Sequence, residues 1–182
     1  MIASERLQAI IKERREWESV GWGPLLAAWA VVLVAKAVVE LWTGPSPEVG
    51  FGAYLVALAA QSILSAIPGA RSGARQVPMH GLWALIAATA WFFGSWAPGS
   101  GLMSVQAASV IEMLFLALGL LLTGMLKGRR VLFFGGVTLG LAALLMALFP
   151  ALWAWRPLLL AITFGTAAGV TLMADHRSTS KQ

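Results

Sequence analysis

Three ionisable residues, Lys36, Glu40 and Glu112, lie inside long apolar stretches of this chain. Charged side chains are rare in such stretches because burying them is costly without an opposite charge or hydrogen bonds. Where they occur, they are candidates for proton, ion or ligand handling. The first question that the sequence raises is therefore how these three side chains are partnered.

Lys36 has two candidate partners. Glu40 lies one helical turn further along the same segment, but a lysine that precedes a glutamate is the weaker order for such a pair. Helical side chains also lean toward the helix N-terminus, which points Lys36 toward the depth of Glu112. We therefore favour a Lys36–Glu112 contact and keep the Lys36–Glu40 contact as the alternative.

Gln61 extends the candidate site. It follows Tyr54 at helical spacing and falls near the middle of its own apolar segment, while Glu112 shares a helix face with small and hydroxyl residues that suit helix–helix packing in lipid. We predict a buried polar cluster with the members Lys36, Glu40, Gln61 and Glu112. It has two interpretations, a proton-sensitive or ligand-binding site and a buried network that fixes helix register.

The sequence offers little for catalysis or metal binding. It has no cysteine, which excludes disulfides, thiol catalysis and cysteine metal sites. It contains no nucleotide-binding loop, no HExxH motif and no Ser–His–Asp order. Its two histidines, His80 and His176, have no neighbouring cluster of ligands. We expect no catalytic residue, no metal and no cofactor, and hence a protein that is not an enzyme.

The elements that position these residues are apolar helices. The chain is 59% hydrophobic and 12% charged, about half the charge of a soluble domain. A membrane-spanning helix needs about 20 apolar residues, and six segments approach that length: 22–43, 51–68, 79–97, 102–126, 131–149 and 151–173. Pro157 is the alternative start of the sixth segment, because residues 151–155 are apolar as well. None alternates as barrel strands do. We predict an all-α, polytopic integral membrane protein with one six-helix transmembrane domain over residues 22–174.

Two polar ends flank this domain. Residues 1–21 place Leu7, Ile10, Ile11 and Trp17 on one helical face and charges of both signs on the other. This pattern predicts an amphipathic helix that lies on the cytoplasmic membrane surface or docks against a partner. Residues 175–182 read as a polar C-terminal tail.

The basic residues set the predicted orientation. Eleven of the 13 Lys and Arg residues fall on one side of a six-span topology, and basic loops stay cytoplasmic. They are Arg6, Lys12, Arg14, Arg15, Arg71, Arg75, Lys127, Arg129, Arg130, Arg177 and Lys181. Only Arg156 falls on the other side. We therefore predict cytoplasmic N- and C-termini in a prokaryotic inner membrane, with basic residues that face lipid headgroups and not nucleic acid.

Two functions fit this sequence. The first is a small non-enzymatic membrane protein that works as a sensor, regulatory or assembly subunit through a partner bound by the N-terminal helix. The second is a small oligomeric transporter or channel in which Lys36, Gln61 and Glu112 line a path. The partners expected are the lipid bilayer, a protein partner and further copies of the chain.

Overall fold

The computed structural model describes residues 22–44, 46–66 and 77–179, and all regular structure in these ranges is helical. The predicted amphipathic helix over residues 1–21 lies outside the described residues. Six helices carry the architecture: α1 Trp22–Thr43, α2 Pro47–Ala66, α3 Val77–Trp91, α4 Val105–Lys127, α5 Arg130–Leu148 and α6 Arg156–Thr179.

Two irregular helical segments extend these elements. A π-helical turn, Phe92–Trp96, continues α3 and leads into a last α-helical turn, Ala97–Gly99. The third helical path is therefore continuous from residue 77 to residue 99. A 3₁₀ segment, Pro150–Trp155, enters α6, so the regular helix begins at Arg156, later than the start near residue 151 that the sequence suggested. At its other end α6 continues to Thr179, into the predicted tail.

Local capping explains where α2 and α4 begin. The Ser46 hydroxyl accepts a hydrogen bond from the backbone N–H of Val49, and Pro47 occupies the first helical position, which suits proline. α2 therefore starts before residue 51, the start that the sequence suggested. Ser104 caps α4 in the same way through the N–H of Ala107, which places the start of α4 at Val105.

The six helices form a closed ring. Each long helix packs against the next one in the chain, and α6 returns to pack along α1. α1 and α6 run in opposite directions, since Gly23 lies against Leu172 near one end while Glu40 contacts Arg156 near the other. Small residues allow close approach elsewhere, as where Gly136 of α5 packs against the backbone of Ala117 in α4.

The outer surface of the bundle is apolar. Large hydrophobic side chains such as Val31, Phe134 and Leu148 are more than 60% exposed, as is expected where lipid replaces water. Among the described residues, five helices are long and apolar enough to cross a membrane. The regular part of α3 has only 15 residues and falls below that length by itself. The architecture is a six-helix bundle of the kind that membrane proteins use.

Candidate functional site

Four charged side chains meet inside the bundle. Lys36 and Glu40 come from α1, Glu112 from α4 and Arg156 from the first residue of α6. Each is no more than 3% exposed. We call these four residues the ionic network. Its two cations balance its two carboxylates, so the network carries no formal net charge, as buried ionic groups require.

Lys36 contacts both carboxylates. Its Nζ donates to Oε1 of Glu112 at 2.6 Å and to Oε2 of Glu40 at 2.9 Å. Both pairings that the sequence left open are therefore present at once. The Glu40 contact stays within α1, whereas the Glu112 contact joins α1 to α4 across the interior of the ring.

Arg156 makes a parallel set of contacts. Its Nη2 donates to Oε2 of Glu40 at 2.5 Å, and its Nη1 donates to Oε2 of Glu112 at 3.2 Å and to Oγ of Ser109 at 2.9 Å. Each cation thus bridges both carboxylates. A planar guanidinium suits this role because it presents several donors in fixed directions.

Neutral donors complete the coordination of the carboxylates. The Tyr54 hydroxyl of α2 donates to Oε1 of Glu112 at 2.5 Å, and Ser95 donates to Oε1 of Glu40 at 3.3 Å. The Lys36 ammonium also lies 5.7 Å from the centre of the Tyr54 ring, within cation–π range. Every carboxylate oxygen of the network therefore accepts at least one hydrogen bond.

The π-helical turn of α3 lies directly against the network. A Cβ atom on Gly94 would approach within 2.7 Å of Cδ of Glu112, so only glycine fits there without displacement. The next residue, Ser95, is fully buried and donates to Glu40. π-Helical turns inside α-helices recur at functional positions, and here the turn brings two consecutive residues to the same carboxylate cluster.

Gln61 hydrogen-bonds at another level of the bundle. Its Oε1 accepts a hydrogen bond from Nε1 of Trp29 at 2.9 Å. Because α2 begins at Pro47 and α4 at Val105, Tyr54 reaches the depth of Glu112 and Gln61 lies about 10 Å further along α2 at 1.5 Å per residue. The sequence predicted that α2 starts at residue 51 and α4 at residue 102. Those starts would have placed Gln61, and not Tyr54, at the depth of Glu112.

Trp29 and Gln61 belong to an aromatic layer that adjoins the network through Tyr54, whose ring centroid is 6.3 Å from that of Trp29. The ring centroids of Trp29 and Trp83 are 4.8 Å apart, and the indole N–H of Trp83 donates to the hydroxyl of Thr123 at 3.1 Å. The buried polar groups therefore form two levels. The ionic network lies toward one end of the bundle, and the tryptophan layer lies toward the other.

Arg156 is the member of the network that sequence reasoning missed, because the predicted orientation assigned it to the outer side of the membrane and not to the interior of the bundle. Two signals pointed to it. Lys36, Glu40 and Glu112 alone would leave one uncompensated negative charge in an apolar interior. Arg156 was also the one basic residue that broke the asymmetry of the loops. Charge balance among the apolar segments predicts a cation such as this one.

The network lies about 10 Å from one end of the bundle, since Glu112 is seven residues into α4. The 3₁₀ segment crosses that end, where the indole of Trp153 donates to Oγ of Ser109 at 2.8 Å. Among the described residues, Nε of Arg156 is the one buried side-chain nitrogen or oxygen atom without a hydrogen-bond partner.

The chemistry available to this site is restricted. Both carboxylates are engaged by two cations, which leaves neither free to accept a proton from a substrate without breaking an ion pair. Within residues 22–44, 46–66 and 77–179, no group of three or more His, Cys, Asp or Glu could hold a metal ion. No known protein family, no curated protein and no solved structure matches this chain.

Proposed function

We propose that this protein is a non-enzymatic membrane module that acts through a partner, as a sensor, regulatory or assembly subunit. The observation that carries the proposal is the closed ionic network, in which each cation contacts both carboxylates and every member is buried. A catalytic acid or base must exchange protons with a substrate. These groups are instead fully used in joining α1, α4 and α6.

The proposed module crosses the membrane six times. The helical path from residue 77 to residue 99 extends about 34 Å at 1.5 Å per residue, which supports counting it as a span beside the five longer helices. Six crossings bring both termini to the same side, and the basic loops assign that side to the cytoplasm. We place the protein in a prokaryotic inner membrane.

The predicted amphipathic helix over residues 1–21 is the proposed partner-binding segment. Replacing Leu7, Ile10 and Ile11 with serine removes its apolar face and keeps its charges. A matched control places serines at Glu5, Gln8 and Lys12 on the opposite face and keeps the same net charge. The two variants therefore carry the same number of serines and the same net charge on opposite faces of the predicted helix.

The assay is quantitative comparison of the proteins that copurify from native membranes after crosslinking. We expect the apolar-face variant to lose specific partners that the control retains, because burying each Leu or Ile is worth about 1.5–3 kcal/mol. Identical recovery with both variants, or the absence of any specific partner of the unaltered protein, would contradict the proposal.

A transporter or channel is the second candidate. Two observations favour it: the π-helical turn beside Glu112, and Nε of Arg156, which has no hydrogen-bond partner. Such features would allow the network to rearrange around a passing proton or ion. Flux of protons or monovalent cations into proteoliposomes should then fall strongly in Glu112→Gln. Flux that is absent, or unchanged by this substitution, would exclude this candidate.

A further inference from the structure

An open groove runs between α5 and α6 on the outer surface of the bundle. It has a volume of about 360 Å³. Its lining is mainly apolar, with one charged residue, and comprises Arg130, Val131, Phe134, Gly135, Thr138, Ile162, Thr163, Thr166, Ala167 and Val170. From Arg130 to Thr138 it follows α5 for about 12 Å at 1.5 Å per residue.

A positive charge stands at one end of the groove. Arg130 is the first residue of α5 and is exposed. Its side chain forms no hydrogen bond or ion pair with any residue in the described ranges. The N-terminus of α5 adds a partial positive charge from its free N–H groups. This end of the groove therefore favours an anion.

Two hydroxyl groups in the groove have no hydrogen-bond partner among the described residues, those of Thr163 and Thr166. Other helical threonines in the bundle donate to the carbonyl four residues earlier, as Thr138 does to Phe134 at 2.9 Å and Thr171 to Ala167 at 2.6 Å. A hydroxyl left unpaired in an apolar environment is costly. Thr163 and Thr166 are therefore available to donate to a ligand.

The vertical order of these groups matches a phospholipid. Thr163 lies opposite Gly135, where a Cβ atom would be 3.8 Å from its Cγ2, and Gly135 is about 7 Å below Arg130 along α5. The groove thus presents a cation at one end and two hydroxyl donors further along, with apolar side chains at every level. A glycerophospholipid presents a phosphate, then ester carbonyl oxygens, then acyl chains.

We propose that the groove between α5 and α6 binds an anionic glycerophospholipid. Arg130 pairs with its phosphate, Thr166 and Thr163 donate to its ester carbonyls, and one acyl chain continues past Thr163 along Ile162 and Thr138. Basic sites between membrane helices are suited to anionic headgroups. The combination of a positive charge, two hydroxyl donors and a groove distinguishes this site from the general lipid contact around the bundle.

The test is native mass spectrometry of the full chain in detergent with phosphatidylglycerol or phosphatidylcholine. We expect the unaltered protein to retain phosphatidylglycerol preferentially. Arg130→Gln should weaken that binding about five-fold, the usual effect of one basic residue near an anionic headgroup. Thr166→Val should weaken binding of both lipids between about two-fold and ten-fold by removing one hydrogen bond.

Each variant has a matched control. Arg129→Gln removes the same charge from a neighbouring residue that does not line the groove. Thr138→Val alters a lining threonine whose hydroxyl is already bonded to Phe134. Both controls should bind phosphatidylglycerol as the unaltered protein does, and unchanged thermal unfolding without added lipid checks that all four variants fold.

Several results would overturn the proposal. Equal binding of the two lipids would show that no anionic site exists. Equal losses in Arg130→Gln and Arg129→Gln would show that only overall charge matters. A groove occupied by a second copy of the chain would appear as a dimer that excludes added lipid, and Arg130→Gln would then leave lipid binding unchanged.

Discussion

Charge balance in the ionic network gives the sharpest prediction of this structure. Lys36→Met leaves two carboxylates with one cation, and Glu112→Gln leaves two cations with one carboxylate. At the 2.6 Å separation of Lys36 and Glu112, Coulomb attraction at an effective dielectric constant of 20 is about 6 kcal/mol before desolvation is subtracted. Breaking one partner of a buried pair typically costs about 3–5 kcal/mol, and we expect each single variant to fall in that range.

Double variants should depart from additivity in opposite directions. Lys36→Met with Glu112→Gln keeps the Glu40–Arg156 pair, whose atoms are 2.5 Å apart, and restores neutrality, so it should recover much of the loss. Lys36→Met with Arg156→Gln leaves Glu40 and Glu112 facing each other without a cation. Its loss of unfolding free energy should exceed the sum of the two single losses.

The assay is reversible unfolding in mixed detergent micelles, followed by tryptophan fluorescence. Coupling between neighbouring sites appears as the difference between the double variant and the sum of the singles. Additive losses in both double variants, Lys36→Met with Glu112→Gln and Lys36→Met with Arg156→Gln, would show that these side chains do not share one network. If Lys36→Met with Glu112→Gln is stable and still copurifies with the partners of the unaltered protein, the network is structural alone.

Two further predictions follow from the packing and the topology. Gly94→Ala should destabilise the bundle by about 1–3 kcal/mol, because the added Cβ would meet Glu112 at 2.7 Å and overpacking displaces buried neighbours. The control in the same unfolding assay is Gly52→Ala, where an added Cβ would have nothing within 4 Å. Equal effects of the two substitutions would show that Gly94 is not tightly packed. Reporter fusions near Gly73 and after Gln182 should both be cytoplasmic, because of the basic loops, and a periplasmic signal from either would overturn the proposed orientation.

The helical architecture follows from the sequence because its physical cause is local. Apolar length and the glycine and proline breaks between segments act within about 20 residues, and they gave helical segments that overlap all six observed helices. Helix starts depended on single capping side chains, and Ser46 and Ser104 moved two of them. Both shifts are small along the chain, but together they place Tyr54 opposite Glu112, where the sequence predicted Gln61.

The depth of Arg156 depended on a different cause. Nothing local distinguishes an arginine that begins a helix from one in a loop, and Arg156 is buried only because Glu40 and Glu112 lie beside it. The long-range arrangement of α1, α4 and α6 decides its environment. Charge counting across the whole chain can anticipate such a residue, whereas hydropathy along the chain cannot.

The network also gives a reason why these helices adopt one arrangement. In lipid, apolar surfaces do not select neighbours as they do in water, so polar contacts and close packing must specify the order of the helices. Glu112 comes from α4, and side chains from α1, α2, α6 and the π-helical turn of α3 all donate to Glu40 or Glu112. None of the described residues of α5 does. α5 is instead held by close packing against α4 and is the helix that, with α6, forms the groove. The polar contacts thus fix α1, α2, α3, α4 and α6 around one interior point, and α5 is left with a face available to a lipid.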